Sequence, residues 1–479
     1  MSAIKLFANL LVNRVLTYPH MANLKQIKHL VSRAGFGMSF EDFNAAEHTS
    51  VKEAVRNLFK DSADYEPLTP IKENFDYVMA VRGNPQARKM AMQKQRQQER
   101  ELNLAWVNYM SMAKGQLREK MALFWNNHFA CRARQSLFDQ QMLDIQRRNA
   151  LGNFKTMTIE VSKAPAMLQF LNNQQNLKGH PNENFARELM ELFTIGRGNY
   201  TEHDIRESAR AFTGWGYDKA GQFQFRRFVH DDGEKTFMNK TGNFTGDDII
   251  NILFEKKETA HFICNKLYKY LVNETPDPAH VDAMADVFYK TNYEIKPLLE
   301  YVFAASWFYD DKNIGNLVKS PVELIVGLNR QFNINYERPA VLLQFQRALG
   351  QVLFYPPNVA GWPGGRNWID SSSLMYRVKI ASMVLNGGVI DFVGKADPED
   401  EAFLATQHNR QDKVNMQVQT KPDWDKFLNN IPKGLSKTTI AQFMLEPKMT
   451  AALNNTINNS ADTKAMVIEL VSSPEYQLA

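Results

Sequence analysis

The sequence predicts a mainly α protein: a large helical array or two packed helical lobes, with a small β-hairpin insertion near residues 222–237. Three observations carry that expectation. Apolar residues recur at the 3.6-residue spacing over most of the chain. One convincing strand-like stretch, QFQFRRFVHDDGEKTF between Gly221 and Phe237, alternates in character and offers Asp232-Gly233 as its turn. No Pro/Gly/Ser-rich linker divides the 479 residues, so residues 21–479 read as a single domain whose lobes, if there are two, part near residue 240.

Taken in order, residues 39–60 form two short helices capped by Ser39 and by Thr49 or Ser50, because a hydroxyl there can accept from an unpaired N–H of the first turn. A long helix over about 84–113 starts with the charged run QARKMAMQKQRQQER, which belongs in solvent, and then turns aromatic. Residues 115–130 read as an amphipathic helix, and 136–172 as two more. Between Asn182 and Trp215, Phe185, Leu189, Leu192 and Phe193 share one helix face, with Glu183, Asn184, Arg187, Glu188 and Glu191 on the other. Gly196 and Gly198 end that helix. Thr201 and Asp204 form a capping box for a second one, lined by Ile205, Ala209 and Phe212, with Arg206 and Arg210 on its far face. Helices resume over 246–255, 257–272, 278–290 and 294–307, and Pro321 takes the first position of another. LLEYVFAASWFY and VIELVSSPEYQL each close an apolar helix with a small residue and an aromatic, either a weak internal duplication or a coincidence. Residues 355–373 form a rigid loop of three prolines, three glycines and two tryptophans, whose rings either stack on a ligand or plug the core. Residues 394–422 turn polar, as a surface excursion does.

Composition narrows the function classes. With 44% hydrophobic residues, 31 Phe and 16 Tyr, the chain can bury a large core. A net charge of +5 with Lys and Arg spread among acidic residues argues against a nucleic-acid surface. Cys131 and Cys264 alone cannot build a disulfide framework or a four-cysteine zinc site. No run of 18 apolar residues marks a transmembrane helix. Residues 1–20 carry a short apolar patch interrupted by Arg14, with no cleavage site after it, and read as an extension ahead of Met21. Phosphate-loop, dinucleotide, HExxH and GxSxG signatures are all missing.

Several blocks carry unusual chemistry: HLVSRAGFG from His29, FWNNHF from Phe124, the Asn182–Trp215 segment, HDDGEK from His230, and PNVAGWPGG from Pro357 followed by Trp368. In this order they resemble the bacterial domain-of-unknown-function family 1800. The resemblance implies an envelope or periplasmic setting, and a partner resembling sulfatases and alkaline phosphatases, encoded beside the family's genes. The absence of a clear export signal favours the cytoplasm instead. The typical family signature also carries a histidine where this chain has Phe193. Either a ligand is lost there, or a packing residue has been replaced.

The candidate site follows from these blocks. Glu188 and Glu191, three residues apart on one helical face, can converge on a metal or divide acid and base roles, and an exposed ion-pair ladder with Arg187 is the plainer alternative. His128 and His230 can assist catalysis, or serve as hydrogen-bonded core residues. A tentative divalent-metal set is His230, Asp231, Glu188 and Glu191. Arg33, Arg187, Arg210 and Lys235 can hold anionic groups, and Trp362 and Trp368 can stack on substrate. Two functions fit: an envelope hydrolase or lyase acting on a carbohydrate or other polar polymer, or a non-catalytic partner of the sulfatase-like protein.

Overall fold

The computed structural model describes residues 18–72, 84–386, 388–392 and 414–479. The mainly α expectation holds. Helix α1 (Tyr18–Ala34) leads into α2 (Phe40–Ala46) and α3 (Val51–Asp61). Ser39 and Ser50 cap the latter two by accepting from the N–H groups of Asp42 and Glu53. Helix α4 (Pro85–Met112) begins in solvent as expected, but Ala91, Gln95, Gln98 and Glu99 are already buried.

Helix α5 (Gln116–His128) departs from the amphipathic expectation: every residue but Asn127 is buried. Its charged heads survive burial because each meets a partner. Arg118 donates to the carbonyls of Ser62, Ala63, Arg147 and Arg148, while Lys120 pairs with Glu323. Three helices then follow where two were expected, α6 (Ser136–Arg148), α7 (Phe154–Lys163) and α8 (Pro165–Phe170), because Pro165 stops the second and starts the third.

The central signature forms α9 (Asn184–Glu188), a π-helical stretch over Leu189–Thr194, and α10 (Glu202–Ala211) with the expected Thr201–Asp204 capping box. The β insertion is two hairpins. Strands β1 (Trp215–Tyr217) and β2 (Phe223–Phe225) pair antiparallel, as do β3 (Lys235–Phe237) and β4 (Lys240–Gly242). Asp232-Gly233 is therefore not the hairpin turn. That role falls to Met238-Asn239, both at positive φ, while Asp231 accepts from the Gly233 N–H and from Arg210.

Helices α11 (Gly246–Phe254), α12 (Lys257–Leu271), α13 (Pro278–Lys290) and α14 (Ile295–Ala304) follow the expected order. Helix α15 (Pro321–Phe332) has proline in its first turn and a Ser320–Glu323 capping box. After β5 (Asn335–Tyr336) come α16 (Val341–Leu349), α17 (Ser371–Asn386), β6 (Gly388–Phe392), β7 (Val414–Val418) and β8 (Thr420–Lys421). Strand β6 pairs with β7, and β5 with β8, so the end of the polar 394–422 stretch is structured; most of its start, like most of the expected N-terminal extension, lies outside the described residues. Helices α18 (Trp424–Asn430), α19 (Lys437–Met444), α20 (Ala451–Asn459) and α21 (Thr463–Val471) complete the array. One hydrophobic cluster runs through it from Ile27 to Tyr476. No helix among the described residues is long and apolar enough to cross a membrane.

Candidate functional site

The central helix carries an extra residue in its last turn. The N–H groups of Ile195 and Gly196 both donate to the Met190 carbonyl, at 3.1 and 2.9 Å, and the Thr194 hydroxyl donates to the Leu189 carbonyl. Such π turns widen a helix and cost ordinary hydrogen bonds, so they persist where something holds them. Gly196 is part of the hold: its φ is +78°, and the Phe262 ring occupies the space a Cβ would need.

This turn presents two carboxylates in unlike settings. Glu191 accepts from the Tyr200 hydroxyl at 3.1 Å and from the Arg197 guanidinium. Glu188, one turn earlier, is half-buried with neither hydrogen bond nor ion pair among the described residues. Burial first, then the neighbouring Glu191 charge, raises its pKa above the ordinary range. Burial and the bond to Glu191 likewise lift the Tyr200 phenol to about 12, which keeps it a proton donor.

Behind the turn lies a polar relay. His128 is buried among Phe124, Phe129, Phe154 and Phe193, and its Nε2 lies 3.0 Å from the Phe193 carbonyl. A carbonyl only accepts, so Nε2 carries the proton and Nδ1 accepts from the Lys266 Nζ at 3.1 Å. Lys266 also donates to the Leu192 carbonyl. No carboxylate pairs with it among the described residues, and burial brings its pKa down to about 8. Burial, then the Lys266 charge, holds His128 well below the usual imidazole value, so it is neutral. As a group sealed in an aromatic shell it fits the hydrogen-bonded core reading.

The remaining candidates lie apart from this turn or are already engaged. Arg187 is bidentate to Glu202 at 2.9 Å and also reaches Glu183, which is the ion-pair ladder. Arg210 binds Asp231 and Glu207, and that guanidinium holds the Asp231 carboxyl down at about 2. Lys235 is buried and donates to the Asp231 and Gly233 carbonyls. His230, also buried, has Nδ1 2.8 Å from the Thr213 carbonyl. Trp362 and Trp368 are buried, leaving no open ring face for a sugar; Trp362 is anchored where its backbone N–H donates to Asn127 Oδ1 at 2.7 Å. Arg33 donates to the Asn313 carbonyl and Asn316 Oδ1, far along the chain from the signature. Among the described residues no three His, Cys, Asp or Glu side chains are gathered for a metal, so His230, Asp231, Glu188 and Glu191 do not assemble as one donor set.

Sequence reasoning missed Arg197, Tyr200 and Lys266. The last left a signal: a lysine on the inward stripe of HFICNKLYKYLV, between Ile263 and Leu267, has to bring its ammonium to a polar partner inside. Residues 29–478 match a family model described as "Protein of unknown function (DUF1800)". No curated protein and no solved structure matches the chain.

Proposed function

The chain belongs to the DUF1800 family, and from the geometry of its central signature we propose a carboxylate acid–base hydrolase or lyase acting on a carbohydrate or another polar polymer of the bacterial envelope. The carrying observation is the contrast between two carboxylates one turn apart, Glu191 held by Tyr200 and Arg197, and Glu188 with no hydrogen bond or ion pair among the described residues. Paired groups whose surroundings push them apart divide the acid and base roles. Glu188 retains its proton more readily and donates it to the leaving oxygen; Glu191 accepts a proton from water or from the substrate carbon. The Tyr200 hydroxyl and the Arg197 guanidinium fix the orientation of Glu191. Both carboxylates are partly exposed, which suits a long chain lying across the surface better than a small enclosed molecule. No step is assigned to a metal, since the proposed donor set is not assembled.

The test is release of product ends from a panel of neutral and anionic polysaccharides by the wild type, Glu188→Gln and Glu191→Gln. Loss of a general acid or base costs about 10²- to 10⁴-fold. Turnover by the wild type that both variants match would remove the proposal.

One observation favours the non-catalytic partner reading. Phe228 is 86% exposed and Phe225 42% exposed, with the exposed Arg227 between them. An aromatic pair beside a cation suits a protein surface with an acidic rim. If this reading holds, Phe228→Ser weakens capture of the neighbouring sulfatase-like protein in a pull-down while leaving any polymer cleavage intact.

A further inference from the structure

A cavity of ≈ 50 Å³ lies between the end of α1, the Gly35–Ser39 loop, α15, α19 and residues 476–479. The first sequence block builds one wall. Gly35 lets the chain press against Gln116, whose Oε1 accepts from the Phe36 N–H at 2.9 Å, and Gly37 turns the backbone at φ +102°. The lining holds four side-chain cations, Lys28, Lys120, Lys319 and Arg330, against two side-chain carboxylates, Glu323 and Glu446. Arg33 and Arg377 stand close behind, and neither is bonded to a carboxylate among the described residues.

Those two carboxylates do not balance the site. Glu323 is engaged by Lys120 and by the Ser320 N–H at 2.7 Å. Glu446 Oε2 is buried without a hydrogen bond, and its nearest cation, Lys28, is 3.9 Å away. On the cationic side, Lys28 is taken up by the Gln442 and Leu445 carbonyls and Arg330 Nη1 by those of Met110, Ser111 and Ala113, but Lys120 and Lys319 keep donors unused. An ammonium has three N–H groups, yet Lys120 spends one on Glu323 and Lys319 one on the Tyr476 carbonyl, at 2.8 Å for the latter. The Nε atoms of Arg33 and Arg330 and one terminal nitrogen of Arg377 are buried and unpartnered. Buried charge in excess, with idle donors, is costly unless a counter-charge enters.

We propose that this cavity binds a tetrahedral oxyanion, phosphate or sulfate, either as the free ion or as the end group of a larger ligand. Its size supports this: a water needs about 10–15 Å³, so the space holds one small ion. Ammonium and guanidinium donors are the groups that recognise such oxygens. Burial pulls Lys319 down to about 8 and lowers Lys28 and Lys120, and a bound dianion would hold all three protonated. The inference does not depend on the catalytic reading of Glu188.

Thermal unfolding and titration calorimetry at pH 7 and matched ionic strength would test it with sodium phosphate, sulfate, acetate, phenyl phosphate and chloride. Phosphate or sulfate should raise the melting temperature above the chloride and acetate controls. Phenyl phosphate binding at least as tightly as phosphate identifies an end-group site, and weaker binding identifies a free-ion site; both uphold the cavity. Lys319→Met should weaken binding by about tenfold, the loss of one charge-assisted hydrogen bond. Glu446→Gln, which removes the opposing charge, should tighten it, and this second variant decides the matter if Lys319→Met does not fold. Wild-type protein that responds to phosphate and sulfate no more than to chloride, or Glu446→Gln that binds no tighter, would overturn the proposal.

Discussion

The central signature and the buried α5 region are both rich in charge, and they treat it in opposite ways. On the signature, Arg187, Glu183 and Glu202 meet at the surface, where water would solvate each of them anyway. In the α5 region, Glu119 of α5 and Arg147 of α6 are sealed from solvent; Arg147 is bidentate to Glu119, Trp106 donates to the same carboxylate at 2.9 Å, and the guanidinium lies over the Tyr109 ring. The surface group is conspicuous in sequence and energetically slight. The buried group looks ordinary in sequence, yet no member of it can be removed alone without stranding a charge.

The largest effect should come from breaking the buried pair. Arg147→Met leaves Glu119 uncompensated, and chemical denaturation should show a loss of about 3–5 kcal/mol. Acid should sharpen the contrast next. His29, on α1 beside the cavity, has a folded pKa lowered to about 3 from 6.5, first by burial and then by the Arg33 charge. Between those values the unfolded chain binds the extra proton, so the stability is intact above pH 6.5 and drains away as pH falls toward 3. One such proton gives a slope of about 1.4 kcal/mol per pH unit. A series of denaturation midpoints should become shallower over that window in His29→Gln. The smallest change belongs to the surface ladder: Arg187→Ala should shift stability by less than about 1 kcal/mol, and a larger loss would mean that this pair carries more of the fold than its exposure implies.

Much of the fold was legible because its signals are local. Ser39 and Thr201 cap helices through groups three residues away, and Pro321 sets its own first turn. Features that depend on distant partners were not legible. The 3.6-residue period placed Phe193 on the apolar side correctly, and its ring does pack against His128 and Phe129, but nothing in the period announced a π turn fixed by Phe262 of another helix. Asp232-Gly233 is a strong hairpin signal by itself, and it was outweighed by Arg210 drawing Asp231 into an ion pair. For the tryptophans of the 355–373 loop the sequence left stacking and core-plugging open, because Asn127, which anchors Trp362, lies more than two hundred residues earlier. Likewise the four cations lining the cavity, Lys28, Lys120, Lys319 and Arg330, stand far apart in the sequence, so no single stretch announces them together.

Residues 317–319 and 477–479 are stitched together by reciprocal backbone hydrogen bonds, Ala479 N–H to the Leu317 carbonyl at 2.8 Å and Lys319 N–H to the Gln477 carbonyl at 2.9 Å. That clasp sets a schedule for biosynthesis. While the chain is being made, α1 and α15 can meet as soon as residue 332 has emerged, but the wall supplied by residues 476–479 emerges well over a hundred residues later. A ribosome adds about 5–20 residues per second, so for at least several seconds the nascent protein carries these cations in an open bay. Over that interval water can hydrate them, and the arrival of residues 476–479 commits them to the interior.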